Sequence, residues 1–155
     1  MELKTASLFE AGALCAACWG GASDDTVELL RNFAKHLGMA SALVTDLKAL
    51  SDREILSQAM RDEKLLYPIS YWLHETLSPK DSERIKKSID PSCGMEPGSE
   101  IWRDLKKSTG NLMHTKIEEQ LSLAGRHLEV LTGHDSSALK QLLSFDNHID
   151  SGNPS

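Results

Sequence analysis

Residues 23–50 read SDDTVELLRNFAKHLGMASALVTDLKAL, and this stretch decides the fold class. Val27, Leu30, Ala34, Leu37, Ala40, Val44 and Leu47 recur at steps of three and four residues, the period that gathers side chains on one face of an α-helix. Ser23 supplies an N-cap. Asp24 and Asp25 put negative charge on the first turn, where backbone N–H groups lack partners and the helix dipole is positive. A helix from Asp24 to about Leu50 follows. No stretch of the chain shows the two-residue alternation of Val, Ile, Tyr or Thr that marks a strand, so the fold class is all-α.

Upstream, about Glu2 to Trp19 forms a first helix, dense in small residues (Ala11, Gly12, Ala13, Ala16, Ala17) and stopped by Gly20-Gly21. Downstream, a break near Ser51-Asp52 precedes a short amphipathic segment (Ile55, Leu56, Ala59, Met60). Pro68 then starts a helix to about Glu75, and Ser78-Pro79 starts a charged one to about Ile89. Asp90 to Ser99 is turn-rich and reads as a surface loop. Helices near Glu100–Lys107, Asn111–Leu131 and Ser136–Phe145 complete the chain, with Gly133 as a stop and Asp135 as an N-cap. The organisation expected is one helical domain over 1–148 and a frayed tail over 149–155.

The 155 residues are 40% hydrophobic, 26% charged and 5% aromatic, with a net charge of −6. That balance fits a folded soluble domain and lacks the basic footprint of a nucleic-acid or membrane-surface binder. The longest nearly apolar run, Ala11 to Ala22, falls short of the roughly 18 to 20 residues that span a bilayer. The charged start Met1-Glu2-Leu3-Lys4 does not resemble a signal peptide, and three cysteines make no disulfide framework. A cytoplasmic location is the expectation.

Cys15 and Cys18 have C-x-x-C spacing but neither the strand-to-helix setting of a redox pair nor two further zinc ligands, so they read as buried filler. His36, His74, His114, His127, His134 and His148 form no ligand pattern and read as surface or packing residues. Asp46 stands beside Val44 and Leu47. Either it faces inward and needs a partner or a metal to offset desolvation, or it lies on the flank of the stripe and reaches water.

Lys4-Thr5-Ala6-Ser7-Leu8-Phe9, followed by Gly20-Gly21-Ala22-Ser23 and Phe33-Ala34-Lys35-His36-Leu37-Gly38-Met39-Ala40, resembles the trans-isoprenyl (polyprenyl) diphosphate synthases. The first stretch corresponds to that family's K-T-A-x-L-F motif. The last leads into its second aspartate-rich motif, G-x-A-F-Q-x-x-D-D-x-x-D, and the two align without a gap. Glu63-Lys64-Leu65-Leu66-Tyr67-Pro68 resembles G-K-x-T-L-P. The resemblance implies part of an all-α, class I isoprenoid synthase bundle, the C-terminal half. In that family, aspartates hold Mg2+ ions that bridge the diphosphate of an allylic substrate, and lysines add charge-assisted contacts. Carried over, Lys4, Thr5 and Lys64 are the diphosphate-binding residues and Asp46 is the one surviving metal carboxylate. The F-Q positions are Ser41-Ala42, and D-D-x-x-D has become Thr45-Asp46-Leu47-Lys48-Ala49.

The expectation is therefore a polyprenyl diphosphate synthase-like protein of isoprenoid biosynthesis that is truncated or non-catalytic and requires a protein partner: a catalytic prenyltransferase subunit, an N-terminal half, or a second copy. One alternative is the C-terminal half of a split, magnesium-dependent prenyltransferase that condenses an allylic diphosphate with isopentenyl diphosphate. Another is an inactive helical remnant or interaction module.

Overall fold

The computed structural model describes residues 2–52, 66–71, 100–131 and 135–144. The expected segment around Ile55–Met60, Lys64, the helix from Pro79, the loop from Asp90 to Ser99, Gly133 and the tail all lie outside them. The described helices are α1 (Glu2–Trp19), α2 (Asp24–Ser51), α3 (Tyr67–Tyr71), α4 (Glu100–Val130) and α5 (Ser137–Gln141). Among the described residues there is no strand, and the fold is all-α. None of these helices is long and apolar enough to cross a membrane.

The chain gathers into two compact units, one drawn from Ala42–Lys116 and one from Glu2–Ser41 with Ile117–Ser155. In the second unit, α1 ends as its glycines dictate. Gly21 takes φ +66°, the Gly21 N–H bonds Cys18 O at 3.1 Å, and the Ala22 N–H bonds Ala17 O at 3.0 Å. This pairing satisfies the last carbonyls of the helix and reverses the chain. At the start of α2 the Thr26 N–H bonds the Ser23 hydroxyl at 3.4 Å, the capping contact expected of Ser23. The core joins Phe33, Ala34 and Leu37 of α2 to Ala124 and Leu128 of α4, with Leu131 just beyond it. Gly38 brings α1 close, because a Cβ there would lie 2.8 Å from Ala6 Cα and 3.1 Å from Phe9 Cβ. Arg31 adds an ion pair to Glu10 at 3.3 Å.

Cys15 and Cys18 are exposed free thiols, which corrects their reading as buried filler. The inward stripe of α1 runs through Ala6, Ala13 and Ala17, and half a turn away Cys15 shares the outer face with Leu8, 74% exposed, and Trp19, 95% exposed. Small apolar residues all around this helix left no face marked as the inner one.

In the other unit, the end of α2 supplies buried Leu43, Val44, Ala49 and Leu50, α3 supplies Pro68 and Ile69, and α4 supplies Leu105 and Met113. The break expected between Lys107 and Asn111 does not exist, since α4 runs unbroken for 31 residues. Ser108-Thr109-Gly110 resembles a helix stop, but Thr109 is wholly buried and its hydroxyl donates to Leu105 O at 2.7 Å. With its one polar group satisfied, Thr109 continues a stripe through Leu105, Met113 and Ile117 whose burial exceeds the ~1 kcal/mol helix cost of Gly110. At α5 the capping side chain is Asp135 as expected, its carboxylate accepting the Ser137 N–H at 3.0 Å, although Ser136 holds the N-cap position.

Candidate functional site

Among the described residues, Asp46 is the charged group that the fold buries. It lies in the last turns of α2, faces inward, and is 7% exposed. Its Oδ2 accepts the Tyr67 backbone N–H at 2.9 Å. Of the two orientations open to it, the inward one is taken, and the partner that desolvation demands is a peptide N–H at the entry to α3. Burial pushes the Asp46 carboxyl above its ordinary range, with the Tyr67 N–H pulling partly back. Tyr67 was not among the expected site residues. A carboxylate in an apolar stripe signals that some donor exists, but nothing local says that it lies twenty-one positions away.

Among the described residues, the neighbours of Asp46 along α2 add no second carboxylate ligand. Thr45 and Lys48 are exposed, and Ala49 is buried. Lys48 sits in the last turn of α2, where the negative end of the helix dipole favours a cation. Among the described residues no group of three or more His, Cys, Asp or Glu side chains is placed to hold a metal ion. Mg2+ takes hard oxygen ligands in octahedral geometry, and one buried carboxylate already hydrogen-bonded to a peptide N–H, with a lysine two positions on, does not fit a multi-ion cluster.

Lys4 and Thr5 lie on the first turns of α1, Lys4 exposed and Thr5 half-buried. They belong to one unit and Asp46 to the other. Lys64 lies outside the described residues.

Known proteins match this chain in part. Geranylgeranyl pyrophosphate synthase 4 of Arabidopsis thaliana is 37% identical over 150 residues, 97% of this chain and 31% of that protein. Octaprenyl diphosphate synthase of Escherichia coli (strain K12) is 29% identical over 138 residues, 83% of this chain and 41% of the relative. Heterodimeric geranylgeranyl pyrophosphate synthase large subunit 1, chloroplastic, of Arabidopsis thaliana is 41% identical over 70 residues, 42% of this chain and 19% of the relative. The chain is related to the trans-isoprenyl diphosphate synthases. It spans less than half the length of each of these synthases. No family model and no solved structure matches it.

Proposed function

We propose that the chain is a polyprenyl diphosphate synthase-like component of isoprenoid biosynthesis that does not build a magnesium cluster at its second motif and works with further polypeptide, supplied by a partner subunit. The observation that carries this reading is the state of Asp46. Where the family's motif offers three carboxylates to metal, this chain keeps one, buries it, and spends an oxygen on the Tyr67 N–H. The apolar outer face of α1, with Leu8 and Trp19 open to water, supports the need for a partner, since faces of this kind are normally covered. So does similarity to a protein that is the large subunit of a heterodimeric geranylgeranyl pyrophosphate synthase. Lys4, exposed at the start of α1, then binds diphosphate oxygens by charge without metal. The free thiols of Cys15 and Cys18 support a reducing compartment, and the composition favours the cytoplasm.

The test is a prenyl-transfer assay with an allylic diphosphate, isopentenyl diphosphate and Mg2+, run on the chain alone and with candidate partner subunits. No turnover is expected alone. In an active mixture, Asp46→Asn leaves the rate unchanged while Lys4→Ala raises the KM for the allylic diphosphate. The rival, a split magnesium-dependent enzyme, requires Asp46→Asn to abolish turnover, and that result overturns our reading. A compact monomer with no binding of hydrophobic dyes would remove the case for a partner.

A further inference from the structure

Two histidines that the sequence left as ordinary surface or packing residues come together in the unit that contains α1. His36 projects from α2 and His127 from α4, both half-buried, with ring centroids 5.7 Å apart and planes within 10° of parallel. His36 Nδ1 lies 2.8 Å from Gln120 Oε1. An amide oxygen only accepts, so the ring nitrogen facing it is Nδ1–H and the neutral ring carries its lone pair on Nε2. This is the arrangement of a metal-binding imidazole: one nitrogen donates to an orienting oxygen and the other is left basic and fixed in direction. Gln120 and His127 are two turns apart on one face of α4, so one helix supplies both the orienting group and the second ring.

The separation also suits a shared ion. Two imidazoles bound to one metal at about 2.0 to 2.1 Å from each nitrogen, at tetrahedral angles, have centroids roughly 5 to 6 Å apart. The two rings already have that spacing but are stacked, so a shared ion requires the His127 ring to turn about its Cβ–Cγ bond until its free nitrogen faces His36 Nε2.

We propose that His36 and His127 form a two-imidazole clamp for a divalent transition ion, with zinc as the first candidate, that ties α2 to α4. Nitrogen ligands select zinc, copper or nickel over magnesium. Among the described residues no third His, Cys, Asp or Glu completes the set, so water fills the remaining positions and binding is reversible.

The test uses the whole chain with Cys15→Ser, Cys18→Ser and Cys93→Ser, which removes all three thiols as rival zinc ligands. At tenfold excess over Kd, Zn2+ should raise the melting temperature by roughly 3 to 6 °C, and Mg2+ should not. His127→Gln and His36→Gln should each abolish the rise, and Gln120→Leu should weaken binding without abolishing it. In case either histidine variant fails to fold, the Cu2+ electron paramagnetic resonance spectrum of the parent gives an independent reading, with hyperfine structure from two nitrogens expected. A parent that gains nothing from Zn2+, a rise that survives His127→Gln, or a copper spectrum with oxygen ligands alone overturns the proposal.

Discussion

Replacing Asp46 separates the two things its carboxylate does. Asp46→Ala removes the acceptor of the half-buried Tyr67 N–H, at a cost of about 1 to 3 kcal/mol. In a chain of 155 residues that amounts to a fall in melting temperature of roughly 2 to 12 °C. Asp46→Asn keeps an oxygen for the same N–H and removes the charge. The Asp46 pKa is raised above the ordinary 3.8, so the folded chain holds this proton more tightly than the unfolded chain does. The resulting stabilisation is complete below 3.8 and is lost as the pH rises through the folded-state pKa. Above the folded-state pKa wild type carries a buried charge that Asp46→Asn lacks, so the amide variant should be at least as stable as wild type there, its advantage closing on acidification. Urea melts of the three proteins from pH 7 down to pH 4 measure this. If Asp46→Asn is as damaging as Asp46→Ala at pH 7, the carboxylate is needed as a charge and the argument that it is a structural acceptor fails.

Gly38 and the histidine pair give two further outcomes. Gly38→Ala gains about 1 kcal/mol of helix propensity but drives a methyl to 2.8 Å from Ala6 Cα, an overpacking cost of about 1 to 3 kcal/mol, so it should be neutral to destabilising. Gly38→Leu should separate α1 from α2, seen as loss of a single cooperative melt; retention of full stability would show that the two helices are not in close contact. Because the His127 pKa lies below its usual 6.5, the unfolded chain takes up this proton first. Stability is therefore complete above 6.5 and falls as the pH drops below it. His127→Gln should flatten that part of the pH profile, and an unchanged slope would refute the assignment.

How far the sequence could be read depended on whether the deciding interaction is local. The C-terminal end of α1 and the start of α2 follow from Gly20, Gly21, Ser23, Asp24 and Asp25, whose effects act within a turn, and they lie where the sequence placed them. The continuity of α4 depends on what Thr109 is buried among, and its local chemistry points the other way. The exposure of Cys15 was hidden because alanines and glycine surround α1 on every side. For Asp46, the need for a partner was legible and the partner was not. The same holds for His36 and His127, on helices whose separation in sequence conceals their contact.

The lost carboxylates of the second motif leave unequal sites behind, and this bears on whether the motif could still hold metal. Thr45 is exposed, so Thr45→Asp puts a carboxylate into water, three positions before Lys48, and should change stability by no more than about 0.5 kcal/mol. Ala49 is buried at 3% exposure, in the same stretch of α2 as Leu50. An aspartate there is a charge without a partner in an apolar setting, and Ala49→Asp should cost at least about 3 kcal/mol. The core around position 49 has closed over the place where a third ligand would stand, so restoring the family's residues cannot restore its site unless an ion offsets that desolvation. Denaturant melts of Thr45→Asp, Ala49→Asp and the double variant, each with and without Mg2+, decide the matter. Recovery of wild-type stability by the double variant on adding Mg2+ would show that the helix still presents three carboxylates to one cluster, and the reading of Asp46 as a structural residue would fall with it.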